Sequence, residues 1–98
     1  MNLGRKNQTL EFKISLYQLD KGLESLTAML NRHGQGSVYF GVDDDGNVVG
    51  LTIGKNTLTE IRNKITQIID PRVFNEIEAL ETEGTTFVRV FAQSSAIP

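Results

Sequence analysis

The sequence contains no cysteine, a single histidine and no apolar run approaching a membrane span. Without cysteine there is neither a disulfide framework nor a thiolate zinc site, so a reducing cytoplasm is the expected compartment. One histidine, His33, excludes multi-histidine metal sites and leaves little basis for a histidine-centred triad. A bilayer-spanning helix needs ~18–20 apolar residues. None is present, and the N-terminal residues carry no signal-peptide apolar region, so no membrane partner is expected. Charge of one sign is also scarce: ten basic residues against twelve acidic ones give a net charge of -2. A nucleic-acid partner must therefore use a local patch rather than the field of the whole chain.

What is present is an ordinary globular composition, 39% hydrophobic and 22% charged. Ninety-eight residues suit one domain with one core, spanning 1–98. Leu10 to Leu16 alternates as a strand, with Glu11, Lys13 and Ser15 on one face. Leu19, Leu23, Leu26 and Leu30 share one face of a helix over 20–32, capped by Asp20 and stopped at Gly34. Strands at Ser37 to Val42 and Val48 to Gly54 are expected to flank an acidic turn, Asp43-Asp44-Asp45-Gly46. A second helix starts at Asn56 or Thr57, with Glu60 placed for a capping box. Leu58, Ile61, Ile65 and Ile68 repeat at helical spacing along it, and it ends at Asp70-Pro71. Val73 to Glu81 and Thr86 to Ala92 form a closing hairpin. The order β-α-β-β-α-β-β predicts an α+β fold, a mixed sheet with two helices packed on one face.

Several motifs invite chemistry and are weighed against plainer roles. His33-Gly34-Gln35-Gly36 has phosphate-loop glycines, but it lies between a helix and a strand, the reverse of a dinucleotide fingerprint. It is either a helix stop and connector or an amide nest holding phosphate. Gly50 to Asn56 misses a P-loop by one spacer and by the magnesium-holding hydroxyl, which excludes ATPase chemistry of that type. The acidic turn fails the register of a calcium loop. It reads as a solvated hairpin tip or as a weak magnesium or manganese site shared with Glu11. Glu11 and Lys13 are either a surface ion pair or a carboxylate and a phosphate-neutralising cation. Arg5, Lys6 and Lys13, or Lys55, Arg62 and Lys64, could form the local basic patch or merely a solvated surface.

Thr9-Leu10-Glu11-Phe12-Lys13, Ser15, the helix ending Ala28-Met29-Leu30-Asn31, the glycines, and then Tyr39-Phe40-Gly41-Val42-Asp43-Asp44-Asp45-Gly46-Asn47-Val48-Val49-Gly50 form an ordered set. That set, covering nearly the whole chain, resembles the Schlafen AlbA-like domain. The resemblance implies a small α/β nucleic-acid-binding module found in bacterial transcriptional regulators and Schlafen proteins. It also implies that this chain is an N-terminal fragment of a longer regulator, because relatives continue beyond the position of Ala96-Ile97-Pro98. In the nuclease forms, carboxylates matching Glu11 and Asp43 or Asp44 make the active site with magnesium or manganese. Five residues before Glu11 those forms carry a further glutamate, whereas this chain has Lys6. A cation there removes a ligand and repels a divalent ion. Binding is therefore expected without catalytic residues, metal or cofactor, through Arg5, Lys6, Lys13, Asn31, Gly34 and Gly36. A metal-dependent nuclease and a dimerisation or ligand-sensing domain are the alternatives. Two helices leave a sheet edge and part of a face open, and Phe87, Val88, Val90 and Phe91 place apolar groups on both sides of the last strand, so a homodimer is expected.

Overall fold

The computed structural model describes residues 1–70 and 72–94. Four strands, β1 (Leu10–Lys13), β2 (Gln35–Phe40), β3 (Phe74–Thr82) and β4 (Thr85–Gln93), form one sheet in the order β1-β2-β4-β3. β1 runs parallel to β2, and the other neighbours are antiparallel, so the sheet is mixed. Helices α1 (Leu19–His33) and α2 (Thr57–Ile68) lie on one face. The expected α+β class stands. The parallel β1-β2 pair needs a crossover, and α1 supplies it.

The core follows from the alternation. Val38 and Phe40 of β2 and Val88, Val90 and Ala92 of β4 point to the helices, where Leu23, Leu26, Met29, Ile61 and Ile65 meet them. A second, smaller cluster of Phe12, Val42 and Phe87 lies across the sheet. It is roofed by Leu3 and Val48, because the N-terminal segment folds back over the acidic turn: Asn2 bridges Asn47, and Leu3 N–H donates to the Gly46 carbonyl at 2.8 Å. Phe87 is thereby buried by its own chain, while Phe91 is only half-buried and Phe74 beside it is exposed.

The expected strand over Val48 to Gly54 does not form. Both sides of β2 are already taken, by β1 and β4, so no ladder position is left for it. The segment keeps one bridge, Val42 to Val48, and then leaves the sheet through Gly50, whose φ of +94 no strand residue adopts. The first strand is also shorter than its alternation suggests. It stops at Lys13, and Leu16–Gln18 forms a single 3-10 turn capped by the Ser15 hydroxyl. That turn carries the chain into α1 at Leu19, so Gln18 rather than Asp20 precedes the helix. Asn56 caps α2 without a side-chain bond, so the capping box is absent. Pro71 and the C-terminal Ala96-Ile97-Pro98 lie outside the described residues. Among the described residues no helix is long and apolar enough to cross a membrane.

Candidate functional site

β1 is an edge strand, and its outward N–H groups are closed off by side chains and a local turn. Leu10 N–H donates to the Asn7 carbonyl at 3.3 Å, Phe12 N–H to Glu11 Oε1 at 2.9 Å and Ile14 N–H to Gln18 Oε1 at 3.2 Å. This blunts the edge against strand addition and fixes Glu11 beside the C-terminal end of β1. From the other side, Gly41 turns the chain out of β2 with a φ of +90 and delivers the acidic turn to the same end.

Within that turn the three acids do different work. Asp43 Oδ1 accepts from the N–H groups of Asp45 and Asn47, both at 2.9 Å, and the Asp43 carbonyl accepts from Gly46 N–H at 3.0 Å. Asp43 is thus the internal brace of the turn. Asp44 instead points to Lys6, whose Nζ lies 2.9 Å from Asp44 Oδ1 and 3.3 Å from Glu11 Oε1. Of the two acids left open by the sequence, it is Asp44 that shares a cation with Glu11.

The electrostatics follow from this bridge. The hydrogen bond to Asp44 leads in raising the Lys6 pKa above its usual value; partial burial opposes it, and Glu11 adds to the rise. The same bond to Lys6 leads in holding Asp44 below the usual carboxylate range, with a smaller contribution from Lys13. Lys6, Lys13, Ile14, Gln18 and the three aspartates line a groove of about 530 Å³. With Glu11 counted, its acids outnumber its lysines.

The groove does not fit a catalytic metal. Among the described residues, no three carboxylate or imidazole side chains come together as a metal site. The two carboxylates that do approach each other have an ammonium between them.

The other predicted contacts lie elsewhere. Gly36 is four residues before Phe40 along β2, roughly 13 Å at the usual strand rise. Gly36 is buried against Met29, and Gly34 caps α1, donating its N–H to Leu30 at 3.0 Å and accepting from Ser94 at 2.7 Å. Gly34 thus serves as the stop of α1, its amide already bonded to Leu30, and Gly36 lies within β2. Asn31 is exposed at the same far end, and Arg5 is exposed next to Lys6. Lys64 is paired with Asp20 at 3.3 Å.

Sequence reasoning passed over one neighbour of the groove. Ile14, Leu16, Tyr17 and Leu51 line an adjoining cavity of about 460 Å³, and Ile14 is common to both hollows. No periodicity marks a three-residue turn. The available signal was an aromatic residue placed between a strand and a helix. No curated protein matches the chain. A family model described as Schlafen, AlbA_2 matches residues 6–98, so the chain belongs to the Schlafen AlbA_2 family.

Proposed function

We propose that this domain is a nucleic-acid-binding module of a cytoplasmic transcriptional regulator, one that holds the phosphate backbone without cutting it. The observation that carries the proposal is the Lys6 ammonium, within 3.3 Å of Glu11 and 2.9 Å of Asp44. Metal-assisted phosphodiester cleavage needs carboxylates that gather divalent cations against the substrate. Here a tethered cation sits between that pair, offsets one of its two negative charges and stands where a divalent ion would have to be gathered. Phosphate contact then falls to Lys13, whose side chain no hydrogen bond or ion pair engages among the described residues, and to Arg5 next to Lys6. Asn31, Gly34 and Gly36 lie outside this surface, and the proposal does not use them.

Two phosphate contacts give a shallow salt dependence. Log K should fall against log salt with a slope of about −1.4 on single strands and about −1.8 on duplex. Fluorescence anisotropy of a labelled oligonucleotide across a salt series tests this. Binding that ignores salt, or no binding at low salt, contradicts the proposal.

Assembly as a homodimer belongs to the same reading. The β1 edge is closed, and β3 carries Glu76, Glu78 and Glu81, which would repel a second copy laid edge to edge. The open end of the far sheet face remains. There Phe74 is 54% exposed and packs edge-on against Phe91 at 6.2 Å, with the Arg89 guanidinium 5.0 Å from the Phe91 ring centre. Aromatic residues and arginine are the residues enriched at interface centres.

A further inference from the structure

We infer that Tyr17 and the cavity beside it hold an unpaired nucleobase, so that the ligand is a single-stranded nucleic acid. This inference rests on the nucleic-acid reading above and adds the class of nucleic acid to it. Tyr17 is 102% exposed, so nothing among the described residues covers either face of its ring. Its backbone is nonetheless fixed. Tyr17 N–H donates to Ser15 Oγ at 3.2 Å, Gln18 N–H donates to the Ser15 carbonyl at 3.2 Å, and Gln18 Oε1 accepts from Ile14 at 3.2 Å. An aromatic ring on a tethered turn loses little backbone freedom when it stacks.

The surroundings suit a base. The cavity of about 460 Å³ opens between this turn and Gly50 to Thr52, within the ~300–1,000 Å³ range of small-ligand pockets. Ile14 and Leu51 give it apolar walls, and Ser15 and Thr52 bring hydroxyls to its lining. Ile14, itself 52% exposed, is also part of the groove that holds Lys13. A strand laid across this shared rim brings a base to Tyr17 and a phosphate to Lys13 together. Bases inside a duplex are stacked on one another and cannot reach the ring without being extruded. Aromatic platforms beside cationic grooves are the general means of holding single strands regardless of sequence.

The test compares wild type, Tyr17→Ala and Tyr17→Phe on labelled oligothymidine and on a duplex of the same length. Because the Tyr17 side chain is fully exposed among the described residues, its replacement should leave the fold intact. Wild type should prefer the single strand. Tyr17→Ala should weaken that binding about 5- to 150-fold with duplex binding unchanged, and Tyr17→Phe should restore it. The chain has no tryptophan and only Tyr17 and Tyr39 as tyrosines. Stacking should therefore quench intrinsic tyrosine emission in wild type and not in Tyr17→Ala. Equal binding of both forms, or an Ala variant that binds like wild type, overturns the inference and leaves the nucleic-acid reading standing. Failure of wild type to bind either form at low salt overturns both.

Discussion

Replacing Gly22 by alanine sets two effects against each other, and the structure decides between them. Gly22 lies inside α1, where alanine gains about 1 kcal/mol of helix propensity over glycine. A Cβ at this position would sit 2.6 Å from Phe40 Cζ, 2.8 Å from Cε1 and 3.3 Å from Val38 Cγ1. The first two are roughly 1 Å short of the ordinary ~3.5–4.0 Å carbon separation. Phe40 and Val38 are fully buried in the sheet and cannot swing away. Overpacking of this kind costs about 1–3 kcal/mol, rising when rigid groups must shift. With both neighbours fully buried the cost falls in the upper part of that range, about 2–3 kcal/mol, so the net expectation is a loss of about 1–2 kcal/mol, which lowers Tm by roughly 5–15 °C in a domain of this size. Thermal denaturation by circular dichroism reads it directly. Phe40 immediately precedes Gly41 and the acidic turn, so the displacement should also disturb the turn that carries Asp44. A Gly22→Ala variant as stable as wild type or more so would refute the close packing of α1 on β2.

Other outcomes follow from the same geometry. Gly34→Ala meets no atom within 4 Å but forces φ of +76 on a side-chain residue, so it should cost about 1 kcal/mol in chemical denaturation, with Gly34→Asn milder. Lys6→Glu should turn the groove from a bridged pair into three converging acids and raise Mn²⁺ affinity in calorimetry by at least tenfold; unchanged affinity would mean that the carboxylates do not converge. Asp70, held at about 2 by its hydrogen bonds with Arg72, contributes stability above its ordinary 3.8 that disappears as pH falls from there toward 2. Asp70→Asn should flatten that limb of the acid-unfolding curve, and an unaltered limb would remove the pair from the account. Light scattering at micromolar concentration should give twice the chain mass, with Phe74→Ser shifting it toward monomer; a monomeric wild type rejects the dimer.

The parts of the fold that depend on periodicity were legible in the sequence. Leu19, Leu23, Leu26 and Leu30 marked α1, and the alternation of Leu10, Phe12 and Ile14 marked β1. The Val48 to Gly54 segment misled because its apolar content says nothing about whether a place beside β2 is vacant. Partner choice in a sheet is a long-range property, and here β4 took that place from about fifty residues away. The cover over Phe87 was hidden for the same reason, since Leu3 reaches it only by folding across the acidic turn. At the site, the resemblance singled out Lys6 and Glu11, but the roles of Asp43 and Asp44 could not be separated from composition. Turn geometry separates them: one carboxylate bends back onto the amides of Asp45 and Asn47, and the next faces outward.

Incubating the purified domain with end-labelled RNA and DNA in the presence of Mn²⁺, and resolving the products on a denaturing gel, tests most directly whether Lys6 has replaced the metal. With its ammonium between Glu11 and Asp44, the wild-type protein should leave both nucleic acids at full length over times in which it demonstrably binds them. Metal-dependent fragments that vanish in Glu11→Gln would contradict the account.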